Sequence, residues 1–141
     1  MFFVWIGAAH FGGQPAHMPA ALAASPIWLR YAWIAIRVLG AVLTVPIAEE
    51  LAFRGYLLRR FTRRDFESVP FASVTAIAIA GSSVLFGLMH GGLWLLGSIA
   101  GVAYALLSRR SGRIGDAVVA HAVTNALLAG FVLVSGQWQY W

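Results

Sequence analysis

The feature that most constrains this chain is a series of four long apolar stretches joined by short connections. They run from about residue 31 to 61, 71 to 90, 93 to 107 and 114 to 134. A helix needs about 20 apolar residues to cross the hydrocarbon core of a bilayer. Charged residues make up 11% of the chain, against roughly 25% in soluble domains, which argues against both a soluble globule and a disordered chain. The sequence predicts an all-α, polytopic transmembrane bundle of about four core spans.

The residues before the first stretch have a different character. The chain begins with the apolar sequence MFFVWIGAAHF, and residues 11 to 27 hold three of the five prolines and two glycines. The apolar start has no basic leader and no small-residue cleavage site, so it is not typical of a signal peptide. We predict a partial N-terminal helix and a Pro/Gly-rich loop over residues 1–30, and a membrane core over residues 31–141. His10 and His17 fall in the first part and are interpreted as incidental.

Positive charge is concentrated in the connections. All ten basic residues are arginines, and two clusters follow the first and third stretches. The clusters are Arg59, Arg60, Arg63 and Arg64, and then Arg109, Arg110 and Arg113. By the positive-inside rule both loops are expected in the cytoplasm, and no nucleic-acid partner is expected. Aromatic residues suited to the other interface are Trp28, Tyr31, Trp33, Trp94, Trp138, Tyr140 and Trp141. Arg30 and Arg37 depart from this pattern, and Arg37 is expected to face the bundle interior or to snorkel.

Two adjacent glutamates stand where a bilayer disfavours charge. Glu49 and Glu50 lie roughly ten residues, or about 15 Å of helix, before the first arginine cluster. Such residues cost a few kcal/mol near the bilayer centre and usually serve a function. Glu50 and Arg54 are one helical turn apart, which predicts an ion pair. That pair alone could be a purely structural feature, but Glu49 lies about 100° around the helix and is expected to face something else. Pro46 is expected to kink the helix near the pair.

Two histidines extend this set into other stretches. His90 ends the second stretch, one turn after Phe86, and His121 lies in the fourth stretch, one turn before Asn125. A glutamate with an imidazole beside it can activate water, and a second imidazole with a carboxamide can stabilise an oxyanion. Two histidines and a carboxylate can equally hold zinc, which leaves both chemistries open. The absence of cysteine excludes a thiolate nucleophile.

These residues fall into three motifs. The sequence has EELAFR at 49–54, FGLMH at 86–90 and HAVTN at 121–125. In this order, in successive apolar stretches, they resemble the EExxxR, FxxxH and HxxxN motifs of the CPBP family of intramembrane proteases, also called CAAX amino-terminal proteases. That family includes the Rce1-type CAAX prenyl endopeptidases. The resemblance covers about residues 37 to 134.

The resemblance implies an all-helical membrane endopeptidase. It implies that Glu49 activates water with His90, and that His121 and Asn125 form the oxyanion hole. It implies supporting roles for Glu50, Arg54 and Phe86. The family is usually described as glutamic-type, so no cofactor is expected; if zinc were bound, its ligands would be Glu49, His90 and His121.

A narrower similarity concerns VPIAEELAFRG, the DFE at 65–67 and the closing GQWQYW. They resemble bacterial CAAX-protease-related proteins that occur alone or fused to exosortases. This implies the bacterial inner membrane and a membrane-associated substrate, either CAAX-like or a C-terminal sorting signal. Family members commonly have more spans before EExxxR than this sequence holds. A non-catalytic scaffold or bacteriocin-immunity protein of the same fold is the alternative, and a proton or metal transporter is a weaker one.

Overall fold

The computed structural model describes residues 1–9 and 17–140 and contains six helices and no strand within those ranges. The all-α prediction is confirmed. The helices are α1 (Phe2–Ala9), α2 (Ala20–Ala23), α3 (Ile27–Thr62), α4 (Ala76–Leu88), α5 (Trp94–Ser111) and α6 (Ile114–Ser135). Short 3₁₀ turns lie at Phe71–Ser73, Gly91–Leu93 and Trp138–Tyr140.

Three helical segments are long and apolar enough to cross a membrane. They are α3 with 36 residues, Gly91–Ser111 with 21 and α6 with 22. The second predicted stretch is shorter than expected, because α4 has 13 residues and is therefore about 20 Å long. Val74 and Thr75 are extended, and the Thr75 side chain caps α4 by accepting a hydrogen bond from the Ala78 amide. Because of this cap the helix begins at Ala76, and residues 71–75 of the predicted stretch lie outside it.

Helix α3 is continuous, but two of its segments are π-helical. The first, Gly40–Thr44, directly precedes the turn that contains Pro46. Proline has no amide hydrogen to donate, so a shifted hydrogen-bond ladder next to it is physically reasonable. The second, Leu51–Leu58, begins directly after Glu50. Because π segments often occur at functional sites, α3 departs from regular α-helix on both sides of the two glutamates.

The chain divides into two compact units, residues 46–121 and residues 1–45 with 122–141. In the 46–121 unit, α4 and α5 approach each other through small residues. A Cβ atom added to Gly101 would lie 2.9 Å from Cα of Ser83, and one added to Gly97 would lie 2.9 Å from Cα of Gly87. The two backbones therefore touch, as in membrane helices that pack through small residues four apart.

The loop after α3 in the same unit is organised by the first arginine of the cluster. Arg59 donates from Nε to the carbonyl oxygen of Val69 at 2.9 Å. Its guanidinium carbon also lies 6.0 Å from the ring centre of Phe66 and 5.4 Å from that of Phe71. Arg63 and Arg64 are exposed. One arginine therefore folds the loop, while others of the cluster stay on the surface.

In the unit formed by residues 1–45 and 122–141, Arg30 has a structural role. Its side chain donates to the carbonyl oxygens of Leu22, Ala23 and Ser25 at the end of α2. This accounts for an arginine outside the two predicted clusters. Arg37 lies over Trp33, 5.5 Å from the ring centre.

The predicted N-terminal helix is present as α1. The interpretation of His10 and the loop residues up to 16 falls outside the described residues, as does Trp141. His17 is exposed.

Candidate active site

Glu50 is the charged centre of the site, at the junction of the α-helical segment Val45–Glu50 with the following π segment. Its Oε2 lies 3.0 Å from Nε of Arg54, and its Oε1 lies 2.9 Å from Nδ1 of His121. All three side chains are buried, with exposed fractions of 0%, 2% and 5%. The ion pair predicted from the four-residue spacing is present, and it continues into a triad that includes His121.

The Glu50 contact determines which nitrogen of His121 is available. An ionised carboxylate only accepts hydrogen bonds, so Nδ1 of His121 donates to Glu50. Nε2 is then an acceptor in the neutral ring and a donor in the charged ring. It lies 3.9 Å from Oε2 of Glu49, which is too long for a direct hydrogen bond.

Glu49 faces a different environment from Glu50, as the sequence predicted. Its side chain is 23% exposed, whereas that of Glu50 is fully buried. The Oε2 atom of Glu49 is itself buried and has no hydrogen-bond partner within the described ranges. Glu49 is therefore a carboxylate with an unsatisfied oxygen beside an oriented imidazole.

Arg54 lies in the π segment and extends beyond Glu50. Its Nη2 donates to the carbonyl oxygen of Gly101 on α5 at 3.0 Å. Its guanidinium carbon lies 4.3 Å from the ring centre of Phe86 and 5.5 Å from that of Tyr104. A hydrogen bond, an ion pair and two aromatic rings thus stabilise a buried cation.

Phe86, the aromatic residue of the second motif, is the apolar wall of the site. Its ring lies 5.2 Å from that of Phe53, 5.8 Å from that of His121 and 4.8 Å from that of His90, between ring centres. His90 is therefore attached to the cluster through this ring.

His90 itself lies just beyond the end of α4. Its Nδ1 is 2.8 Å from the carbonyl oxygen of Phe86, so Nδ1 carries the hydrogen and Nε2 is the acceptor in the neutral ring. A Cβ atom on Gly97 would lie 2.9 Å from Nδ1 of His90. The glycine therefore lets the imidazole approach the backbone of α5.

Asn125 belongs to the other unit, in the part of α6 that follows His121. Its Nδ2 donates to the carbonyl oxygen of Ala41 at 2.8 Å. Ala41 lies in the π segment Gly40–Thr44, where the helical hydrogen bonds are shifted. The carboxamide thus satisfies a backbone group in this conformation.

The zinc alternative can be compared with these donors. Within residues 1–9 and 17–140, no group of three histidine or carboxylate side chains is arranged to hold a metal ion. The nitrogen Nδ1 of His121 is bound to Glu50, and that of His90 to a backbone carbonyl. Zinc-bound histidines usually make such bonds through the nitrogen that does not hold the metal, so these two contacts do not distinguish a zinc site at Glu49, His90 and His121 from a metal-free one.

The sequence analysis did not find two contributors from α5. Tyr104 stacks on His121 with ring centres 5.0 Å apart and an angle of 16° between the planes, and Gly101 supplies the carbonyl that holds Arg54. The available signal was GSIAG at 97–101, two glycines four apart in an apolar stretch, which marks a helix–helix contact. The next turn of that helix places Tyr104 beside the site.

A comparison with known families agrees with these motifs. A family model described as "Type II CAAX prenyl endopeptidase Rce1-like" matches residues 31–127, which is more than half of the chain and includes all three motifs. The chain belongs to this family. Members of this family are CAAX-type intramembrane proteases, and the apolar helices agree with an integral membrane protein. No curated protein and no solved structure gives a significant match to the chain.

Proposed function

We propose that this member of the Rce1-like family is an active, metal-free endopeptidase that cleaves a membrane-associated substrate with water activated by Glu49. The observation that carries the proposal is the unsatisfied Oε2 of Glu49, 3.9 Å from Nε2 of an imidazole whose other nitrogen is fixed by Glu50. A water molecule there can donate to the carboxylate and contact the imidazole. It would be held by its partners before the substrate arrives.

The reaction follows from these positions. As water adds to the carbonyl carbon of the scissile amide, Glu49 accepts a proton and the carbonyl oxygen becomes an oxyanion. Hydrogen-bond donors lower the energy of that oxyanion, and the family motif assigns this role to His121 and Asn125. Glu49 then returns the proton to the amide nitrogen as the C–N bond breaks, so protons balance over the cycle. With Nδ1 bound to Glu50, His121 can donate from Nε2 only in its charged form.

His90 is assigned to the same water by its motif. In the structure it contacts the cluster through the Phe86 ring, and its Nδ1 is held by the carbonyl oxygen of Phe86. We infer that its imidazole is the second one to contact water or substrate. Phe86 then sets the position of both imidazoles.

The substrate is inferred to be a membrane-associated peptide with a C-terminal recognition signal. The family description supports a CAAX-like tail, and the resemblance to the exosortase-associated subset favours an apolar sorting signal in the bacterial inner membrane. Separate reporters, one prenylated at a CAAX tail and one with an apolar C-terminal anchor, distinguish these substrates by which of them is shortened.

The proposal is tested by co-expressing the chain with such reporters and comparing three variants. Glu49→Gln and His121→Ala are expected to lower processing by about 10²-fold or more, because a general base typically contributes 10²–10⁴-fold and an oxyanion-hole donor about 10²–10³-fold. Glu67→Gln is the matched control, since Glu67 is an exposed carboxylate in the loop after α3. Processing that is equal in all three variants would contradict the assignment of Glu49 and His121 to catalysis. Loss of wild-type processing on strong chelation would contradict a metal-free reaction.

A further inference from the structure

Tyr104 contacts both partners of Glu50, Arg54 and His121, but belongs to none of the three motifs. Its ring lies nearly parallel to the imidazole of His121 and 5.0 Å from it. The same ring lies 5.5 Å from the guanidinium carbon of Arg54. Tyr104 is 3% exposed. A buried aromatic ring thus covers one face of the imidazole.

Hydrogen bonding alone does not fix the plane of this imidazole. The outer torsion of a histidine side chain is broad and roughly two-fold, so a half-turn exchanges the two sides of the ring. The contact with Glu50 tethers one nitrogen but allows the ring to swing about it. The Phe86 ring meets the imidazole at 79°, with ring centres 5.8 Å apart, so it packs roughly perpendicular to the imidazole. Tyr104 is the ring that packs against the imidazole face.

We propose that Tyr104 is a positioning residue that holds the His121 ring in the plane where Nδ1 contacts Glu50 and Nε2 faces Glu49. The charged and titratable groups around this imidazole are Glu49 and Glu50 from α3, with Arg54 next to Glu50. Swinging the ring away from this plane moves Nε2 off Glu49. The stacking that carries this role comes from the flat ring of Tyr104.

This inference deepens the proposed function but has a test that does not depend on proteolysis. The chain has four histidines, so ¹⁵N-labelled imidazole signals can be resolved in detergent-solubilised protein, and His121 is assigned by the signal lost in His121→Ala. In the wild type we expect one sharp set of His121 signals with the hydrogen on Nδ1. Ring protons shifted upfield are expected from stacking on Tyr104.

Three variants separate the ring from the hydroxyl and from the volume. Tyr104→Phe keeps the ring and is expected to retain the wild-type His121 signals. Tyr104→Leu and Tyr104→Met remove the aromatic face, and we expect loss of the upfield shift together with averaging between tautomers. Helical circular dichroism establishes which variants are folded.

Two outcomes overturn the proposal. One is a wild-type His121 that already exchanges between tautomers, which requires no variant to fold. The other is a folded Tyr104→Leu or Tyr104→Met protein whose His121 signals match those of the wild type.

Measurements of kcat and KM test whether Tyr104 affects the reaction. With a reporter that the wild type cleaves, we expect Tyr104→Leu to lower kcat about tenfold, which corresponds to about 1.4 kcal/mol, with KM little changed. We expect Tyr104→Phe to restore the wild-type rate. Altered His121 signals in a protein that cleaves no reporter would support the positioning role and count against the proteolytic function alone.

Discussion

Glu50 and Arg54 form a charge pair that costs energy to bury. Both side chains are almost fully buried, and Nη1 of Arg54 has no hydrogen-bond partner within the described part of the chain. A buried ion pair seldom stabilises a fold relative to apolar residues of similar size, because both ions lose their hydration. In this site the pair has another role, because Glu50 uses its second oxygen, Oε1, to hold Nδ1 of His121. The pair therefore sets the tautomer of an imidazole rather than adding stability.

Removing one member of this pair is predicted to be far more damaging than removing an exposed ion pair. Arg54→Ala leaves the Glu50 charge buried without its cation, so we expect the free energy of unfolding to fall by ~3–5 kcal/mol. Glu49→Gln should cost much less, since Glu49 is partly exposed and its Oε2 has no hydrogen-bond partner among the residues that the structure describes. Denaturation in detergent, followed by helical circular dichroism, measures both.

The chain offers a matched control for this prediction. Arg113 pairs with Asp116 at 3.1 Å three residues away, but its side chain is 75% exposed. We expect Arg113→Ala to change the free energy of unfolding by no more than about 1 kcal/mol, as is usual for surface pairs. Equal losses for Arg54→Ala and Arg113→Ala would show that burial does not decide the effect.

The contact between helices α4 and α5 depends on glycines, which have no side chain to hold the two backbones apart. A Cβ atom at Gly87 would lie 2.7 Å from the backbone nitrogen of Ser98, and backbone cannot yield as a flexible side chain does. The contact brings the carbonyl of Gly101 to Arg54 and the Tyr104 ring to His121. Small residues in two helices thus determine the geometry of side chains one turn away.

We therefore predict opposite effects for two glycine-to-alanine changes. Gly87→Ala forces α4 away from α5 and is expected to destabilise the protein by about 1–3 kcal/mol, as overpacking does. Gly130→Ala in α6 has open space around the added atom and should be neutral or stabilising by up to about 1 kcal/mol, because alanine favours helix. Thermal unfolding of the two purified variants gives the comparison. A Gly87→Ala protein as stable as Gly130→Ala would contradict the close contact.

The limits of sequence prediction are visible in particular helices. The bounds of α6 and the end of α3 follow from runs of apolar residues, so they were predicted within a few residues. The late start of α4 depends on a Thr75 cap that does not interrupt the apolar pattern. The first π segment of α3 lies next to Pro46, which predicts a disturbed helix but not its π form, and the second π segment has no sequence signature.

The same distinction holds for the site. Glu50 and Arg54 are four residues apart in one helix, so local spacing was sufficient to predict their contact. The bond from His121 to Glu50 joins residues 71 positions apart, and the Tyr104 stacking comes from a third helix. Neither contact has a local sequence pattern, because both depend on how the helices pack.

For the whole molecule, the distribution of arginines predicts which side of the membrane each connection lies on. Seven of the ten arginines lie in the last turns of α3 and α5 or in the connections that follow them, and the positive-inside rule expects both ends in the cytoplasm. Helix α6 has 22 residues and is about 33 Å long, enough to cross a hydrocarbon core of roughly 30 Å. The two ends of α6 should therefore be on opposite sides of the membrane.

The chain has no cysteine, so one introduced thiol reports on one position. We expect Ser135→Cys, at the end of α6, to react with a membrane-impermeant maleimide added to intact bacterial cells. Ser68→Cys, in the loop after α3, and Ser111→Cys, at the end of α5, should react only after the cells are opened. All three serine side chains are at least partly exposed. Labelling of the denatured protein gives the full signal with which each thiol is compared. Labelling of Ser111→Cys but not of Ser135→Cys in intact cells would show that the topology is the reverse of this prediction, with the arginine clusters outside.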